Sequence, residues 1–529
     1  MKLRINLLPG FAAVAVIVAV SVVEWVMAFK ACGGEYIYPI DDTYIHMAMA
    51  RALAEHGVWG VEAGRMAFCS SSPLWTLVLG TAYWAFGVVD CLPWILALGF
   101  NVASIVLIDI VLSGKGASWW LRLCGTLAVA VAGPFLCTTA LGMEHAMHGF
   151  FILAAVALSE DVHKKGGVVF ACACLSFAAA TASRYESLFV LLPLGVFVCG
   201  VESFARWKQK NRPIPYRGIA LLSSGVFPIL AYGLWAISQG GHFLPNSLLL
   251  KGNFMPLMEI PHQLFALMGS VAPGCGFLYV LSLSLLTAAC LPQTRLFWRL
   301  AALAVLIAIF GQMLFATVGQ LCRYEAYLTA AGAFVVVASV AGVGLGRYPV
   351  AYAPLAIYGL TACVFLTRAK GSFGEAIHSS SDIRCQQVVM TRLLASLPEE
   401  DRGCVALNDL GYMAMYGGFP ILDIWGLGSQ DATEMMLKHL GTWERTDHEV
   451  LFKTHDVKYV AVFESWFPKY TMPSGTVDVA YLKLKNNFAC GSDTVVFRAI
   501  STNAADRLER HLERCVDKLP NRASLTLLR

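Results

Sequence analysis

The sequence predicts an α-helical polytopic membrane protein with a C-terminal α/β-like domain outside the membrane. Three observations predict it. Hydrophobic residues make up 57% of the 529-residue chain and charged residues only 14%, against about 25% charged in soluble proteins. Apolar runs near the ~20 residues that a spanning helix needs recur from residue 8 to residue 367. After Thr367 they stop, charge density rises and short alternating stretches appear. This composition excludes a disordered chain, a soluble enzyme and a nucleic-acid binder. The 16 cysteines include no CxxC pair, so the ligand spacing of a zinc or redox site is missing.

Eleven runs read as spans: 8–29, 93–113, 122–140, 147–159, 166–182, 187–204, 217–238, 275–292, 300–318, 326–345 and 350–367. Two further runs, 73–88 and 255–272, are shorter or broken; Pro256, Glu259, Pro261 and His262 interrupt the second. The bias of Lys and Arg toward cytoplasmic loops decides their place. With neither run counted as a span, Lys115, Arg122, Lys164, Lys165, Arg206, Lys208, Lys210, Arg212, Arg217, Arg295, Arg299 and Arg347 all fall in cytoplasmic loops. The opposite loops after residue 89 hold only Arg184, Lys251 and Arg323. The N-terminus is therefore expected in the cytoplasm and the C-terminus outside. The run 73–88 is expected at the outer interface or dipping part-way in, with Trp75 and Trp84 at headgroup level. The run 255–272 is expected to be juxtamembrane. The first run is longer than the apolar stretch of a signal peptide and reads as a retained span.

Two domains follow, 1–367 in the membrane and 368–529 outside it. In the second, Lys458–Phe463 and Thr494–Phe497 alternate as strands do. Residues 381–396 and 503–518 read as amphipathic helices, the first capped by Ser381 or Asp382. This domain also carries Asp409 and Asp423, suited to docking an acceptor, and Cys385, Cys404, Cys490 and Cys515, whose spacing demands no pairing.

With this orientation, ionisable residues collect in the outer loops beside apolar sequence. The first loop gives Asp41, Asp42, Tyr44, His46 and Arg51. The later ones give Glu144 and His145, then Arg184 and Glu186, then His242, Asn246 and Lys251, then Arg323, Tyr324 and Glu325. Charge is costly near a membrane, so such residues are functional candidates. Pro39 is expected to stop the first helix, and Asp41 or Asp42 to cap the next, 43–56. Two adjacent carboxylates exceed what a cap needs, and like charges side by side raise one pKa, which suits a general base. Each of the others has an ordinary reading as well: Glu144 as a first-turn acid favoured by the helix dipole, Arg184 with Glu186 as an interfacial ion pair, Lys251 and Arg323 as interface anchors, and Asn246 as a turn residue. Together they offer carboxylates and cations beside the outer leaflet, the equipment for handling a charged lipid headgroup.

The motifs in these loops resemble the GT-C superfamily of integral-membrane glycosyltransferases. DDTYIHMAMARALAEHGVWGV with CSSSPLWTLVLG resembles the first-loop signature of bacterial transferases related to the mycobacterial terminal arabinofuranosyltransferase. GMEHAMHGFF resembles their GMET motif, SRYESLF their SRPEGL, LPNSLLLKGN their LPNT-x-x-AK and RYEAYL their RY-x-x-P. NDLGYMAMYGGFPILDIWGL resembles the head of their periplasmic domain. The sequence departs from the pattern at His46, at Tyr185 in place of proline, at Ala54-Glu55-His56-Gly57, and in lacking a proline after RYEAYL.

The resemblance implies a GT-C fold of about eleven spans with re-entrant outer helices, in a bacterial inner membrane with the C-terminal domain in the periplasm. It implies transfer of a sugar, arabinofuranose first and mannose or another hexose second, from a polyprenyl-phosphate donor to a glycan, lipid or protein acceptor. A single base would invert the anomeric carbon. Asp41 is the expected base and Asp42 its orienting partner or an acceptor contact. Arg323, Lys251 and Arg184 are expected to hold the donor phosphate. Tyr44, His46, Glu144, Glu186, Asn246 and Tyr324 are expected to hold sugar or acceptor. No metal ligand set is implied, although a divalent cation stays open as a cofactor. Outside this class a secondary transporter is the alternative, but it would carry its polar residues near the midplane and show internal repeats.

Overall fold

The computed structural model describes residues 8–210, 212–252, 275–341, 352–439 and 442–529. The expected juxtamembrane run 255–272 and the loop at 346–349 lie outside the described residues. The described helices from the first to the last apolar run are α1 (Leu8–Ala31), α2 (Asp42–His56), α3 (Pro73–Phe86), α4 (Leu92–Gly114), α5 (Trp119–Ala132), α6 (Phe135–Leu141), α7 (His145–Ser159), α8 (Gly167–Ser183), α9 (Leu188–Lys208), α10 (Tyr216–Ser238), α11 (Asn246–Lys251), α12 (Gly276–Cys290), α13 (Leu296–Phe315), α14 (Ala326–Ala341) and α15 (Tyr352–Ile383). Among the described residues, five stretches are long and apolar enough to cross a membrane: α1, α4, α9 with the turn before it, α10 and α13. The pair α5 and α6 passes the same test jointly, bent by 48°. The bend falls at Gly133-Pro134, where proline cannot donate to the helix ladder. Four shorter apolar helices, α7, α8, α12 and α14, accompany them. The chain is a multi-pass membrane protein.

Two sequence expectations about helix ends change. The first helix stops at Ala31, before Pro39, because Gly33 and Gly34 take left-handed φ of 65° and 90° that end it. No cap at Ser381 or Asp382 exists, because α15 runs through both and continues by a π-helical turn, Arg384–Val388, into α16 (Val389–Ala395). Asp382 instead accepts the amides of Phe488 at 2.8 Å and Ala489 at 3.0 Å.

The chain folds as two compact units. The first comprises Met1–Glu24, Pro93–Tyr232 and Asn253–Gly374. Its core is aliphatic and aromatic, with Ile108, Phe177, Leu194, Leu281, Trp298 and Phe334 fully or almost fully buried. Arg122, one of the residues assigned to a cytoplasmic loop, is buried in a bidentate pair with Asp109, Nε to Oδ1 at 2.8 Å and Nη2 to Oδ2 at 2.6 Å.

The second unit comprises Trp25–Leu92, Gly233–Gly252 and Glu375–Arg529. The segments 25–92 and 233–252 thus belong to the same compact unit as the C-terminal residues. The unit holds a six-stranded mixed sheet of order β2-β1-β3-β5-β4-β6, made of β1 (Cys404–Leu407), β2 (Ile421–Asp423), β3 (Val457–Phe463), β4 (Val477–Leu484), β5 (Thr494–Ala499) and β6 (Ala523–Leu527). The strand β1 is parallel to β2 and β3, and the remaining pairs are antiparallel. Helices α17 (Gly411–Tyr416), α18 (Gln430–Lys438), α19 (Arg445–Thr454) and α20 (Thr502–Glu513) complete it. The last buries Ala504, Ala505, Leu508 and Leu512, the three-and-four spacing its sequence predicts, and Ser501 caps it through the amide of Ala504. The run 73–88 forms α3. Its Trp84 is exposed, but Trp75 is wholly buried, so Trp75 packs inside the protein and is not a headgroup anchor.

Candidate active site

In the second unit the acidic pair of the first loop meets the segment after β1. Asp41 sits at the start of α2 with helical φ and ψ and makes no side-chain bond to that helix. The expectation of a local cap fails because its oxygens serve another helix: Oδ2 accepts the amide of Gly411 at 2.5 Å and Oδ1 that of Tyr412 at 2.8 Å. These are first-turn donors of α17, which have no partner within their own helix. Arg51, from the other end of α2, donates to the carbonyls of Met415 at 2.5 Å and Ala414 at 3.0 Å. Thus α2 holds α17 by its amides at one end and its carbonyls at the other. The contact requires glycine at 411, since a Cβ there would lie 2.1 Å from the Asp41 carbonyl oxygen.

Burial pushes the Asp41 carboxyl up to about 6, against the pull of the Tyr412 amide, Asp409 and the Gly411 amide. Asp409 lies within hydrogen-bonding reach of Asp41, and burial followed by the Asp41 charge holds its own carboxyl well above the usual range. The Gln387 amide donates to Asp409 Oδ2 at 2.6 Å. Asp42 is more open, and its Oδ1 lies 4.0 Å from Lys251 Nζ, with side chains 27% and 43% exposed. Tyr44 is buried, accepts the Tyr38 amide through its hydroxyl at 2.9 Å, and packs its ring on Tyr412 and Tyr416. His46 is buried beside the Ser70 hydroxyl, and Asn246 is buried with its Nδ2 donating to the Leu427 carbonyl at 3.2 Å. The structure gives Tyr44 and Asn246 packing and loop-fixing contacts.

In the first unit the remaining candidates form a second cluster. Arg184 donates to Glu144 Oε1 and to Glu186 Oε1, both at 2.6 Å, and its guanidinium faces the Tyr324 ring at 5.6 Å. Glu144 and Arg184 are buried. Arg323 donates to the Tyr324 hydroxyl at 2.9 Å and to Gln320 at 2.5 Å. The turn before it is unusual: Gln320, Leu321 and Cys322 all take positive φ, 47°, 57° and 60°. Successive non-glycine residues in this region cost roughly 1–2 kcal/mol each, and such strain collects where a side chain must be aimed. Sequence reading did not find this turn, since no glycine or asparagine marks those three positions. It also did not connect Asp409, Gln387 and Gly411 to Asp41. Among the described residues, no group of three or more His, Cys, Asp and Glu is placed to hold a metal ion.

A family profile described as a domain of unknown function (DUF8728) matches residues 379–501. No curated protein sequence matches the chain. Among solved structures, ArnT from Cupriavidus metallidurans bound to undecaprenyl phosphate aligns over 93% of this chain and 98% of that chain, at a TM-score of 0.53 and 12% identity. Its apo form gives 0.52 and 11% over the same shares. The chain has the GT-C fold. A looser likeness is to the Archaeoglobus fulgidus oligosaccharyltransferase, with a TM-score of 0.48 and 11% identity over 96% of this chain and 78% of that chain. With ArnT, at 11–12% identity, the GT-C fold is what is shared, and side-chain roles rest on the geometry above.

Proposed function

We propose that this protein is a glycosyltransferase. It moves a sugar from a polyprenyl-phosphate donor to a glycan, lipid or protein hydroxyl on the outer face of a bacterial inner membrane, with its N-terminus cytoplasmic and its C-terminal domain periplasmic. The observation that carries the reading is the Asp41 carboxylate, held in one orientation by two backbone amides and pushed up to about 6 by its burial. A base of that strength is ionised at neutral pH yet still takes a proton readily. The solved ArnT with undecaprenyl phosphate supports the donor class through the shared fold.

In this mechanism Asp41 takes the acceptor hydroxyl proton while the acceptor oxygen bonds to the anomeric carbon. The bond from that carbon to the phosphate oxygen breaks, and its electron pair leaves with the polyprenyl phosphate. One displacement inverts the anomeric carbon, and the proton passes from Asp41 to water. Asp42 orients the acceptor. Arg323 and Lys251 are assigned to the charge of the departing phosphate. Arg184 braces Glu144 and Glu186, which with Tyr324 and His46 are assigned to sugar hydroxyls. Arabinofuranose is the first sugar to test and mannose the second.

The test is transfer by the purified full chain in bilayer discs, from decaprenyl-phosphate arabinofuranose to a synthetic arabinofuranosyl disaccharide, with decaprenyl-phosphate mannose as the alternative donor. Labelled trisaccharide with inverted anomeric configuration is expected. No sugar leaving either donor, together with sugar accumulation in sealed vesicles, would sink the reading in favour of transport.

A further inference from the structure

We propose that Asp409 is a positioning residue: as a neutral carboxylic acid it donates a hydrogen bond to the Asp41 carboxylate and fixes where that carboxylate can meet an acceptor. This rests on the reading of Asp41 as base. Asp409 follows β1 and precedes Gly411 by two residues, so the turn that delivers the Gly411 and Tyr412 amides to Asp41 also delivers this carboxyl. Two carboxylates within hydrogen-bonding reach of each other do not both ionise at neutral pH. The proton's location follows from the donors. Asp41 accepts two backbone amides, which favour its charged form. Asp409 accepts the Gln387 amide on Oδ2, leaving its other oxygen to carry the proton toward Asp41.

Gln387 is placed for this by the π-helical turn Arg384–Val388. Such single-turn insertions give up regular helix bonding and recur at functional sites. The titratable groups facing the pair come from Asp41's own segment and from two others. Asp42 at the start of α2 raises both carboxyls and Lys251 at the end of α11 lowers Asp409. The Cys490 thiol lies close enough to feel both carboxyls. The pair therefore titrates as a unit with two apparent steps. Transfer is lost on the acid side when Asp41 protonates and on the alkaline side when Asp409 ionises and repels Asp41.

The test uses the full chain in bilayer discs, with Asp409→Asn, Asp409→Ala and Asp41→Asn. Asparagine keeps both bonds, its oxygen accepting Gln387 and its amide donating to Asp41, so Asp409→Asn is expected to lower transfer at neutral pH by less than about tenfold and to abolish the alkaline decline. Asp409→Ala frees Asp41 and is expected to cost about 10²-fold. A readout independent of activity is the infrared carbonyl band of protonated carboxyls in aspartate-labelled protein at neutral pH. One component is expected to vanish in Asp409→Asn, and to shift in frequency in Asp41→Asn, where the carboxylate that accepts the Asp409 proton is gone while burial still keeps Asp409 neutral. A band unchanged in Asp409→Asn, or an alkaline decline that persists in it, overturns the proposal. Should wild type transfer no sugar while the Asp409 component is still lost in Asp409→Asn and shifted in Asp41→Asn, the shared proton stands and the transferase reading falls.

Discussion

The Asp41 carboxylate accepts the backbone amide of Gly411, 370 residues further along the chain, at 2.5 Å. The bond is tight because residue 411 has no side chain: an added Cβ would lie 2.1 Å from the Asp41 carbonyl oxygen, a backbone atom that no rotamer change can move. Gly411→Ala is therefore expected to push α17 off Asp41, lowering thermal stability by about 1–3 kcal/mol and transfer with it. Gly64→Ala is the control, since no atom lies within 4 Å of where its Cβ would sit. Thermal unfolding and transfer, measured on both, separate the two. Equal effects would mean that the close approach at 411 does not matter.

The same geometry changes how the acidic pair must be tested. If Asp41 capped its own helix, Asn would replace it without loss. Here each carboxylate oxygen accepts a different amide, and Asn offers one acceptor oxygen and one NH2 that would face a donor. Asp41→Asn should lose transfer by at least about 10²-fold and also lose about 1–3 kcal/mol of stability. Asp42→Asn should be milder in both, because the Asp42 side chain is 27% exposed whereas Asp41 is buried. Transfer and unfolding of the two variants, compared side by side, decide it. A dead Asp42→Asn beside an active Asp41→Asn would reverse the assignment.

The raised Asp41 carboxyl sets an acid limit. A base works only when ionised, so transfer should fall as pH drops through about 6, whereas an ordinary exposed aspartate would hold activity to about 4. The effect on stability has the opposite sign. A carboxyl harder to ionise in the fold than in the unfolded chain costs stability above pH 6, and that cost disappears as pH falls toward 4. Rate and unfolding profiles over this window check both signs, and an activity profile flat to pH 4.5 would remove Asp41 as base.

Much of this architecture is legible in the sequence, because apolar runs and alternation report burial directly. The runs at 93–113 and 217–238 and the strand at 458–463 are helices and a strand in the fold. Helix ends and partners are less legible. Asp41 looks like a cap since the residues after it are helical, and nothing local reveals that its amides come from residue 411. Ser381 and Asp382 look like a helix start because polar sequence begins there, yet the backbone stays helical across them and Asp382 is used by a distant loop. Trp75 looks like an interface anchor by type, but α2 and α3 pack together and bury it.

Arg184 gives a prediction on stability alone. It is buried between Glu144 and Glu186, donating to each at 2.6 Å. Arg184→Met should cost roughly 3–5 kcal/mol, because it leaves buried carboxylate charge uncompensated. Adding Glu144→Gln should return part of that loss, since the most buried charge is then gone. Unfolding of the single and double variants in detergent measures the coupling. A double variant no more stable than Arg184→Met would show that the pair is not what stabilises this cluster.

Orientation can be tested without any substrate. On the proposed topology the basic loops at 206–217 and 295–299 lie in the cytoplasm, and α3, 14 residues long and capped by Ser72, does not cross. A reporter fused after residue 210 should therefore read cytoplasm, and fusions near residue 90 and after residue 400 should read outside. The fusion near 90 is the decisive one. It reads outside only if α3 returns to the side from which it started, which is also what leaves Asp41 and the sheet that binds it in the same compartment. A cytoplasmic reading there would give α3 a spanning role and break the orientation argument at its first loop. It would also separate Asp41 from Gly411 by a membrane, against the 2.5 Å bond between them.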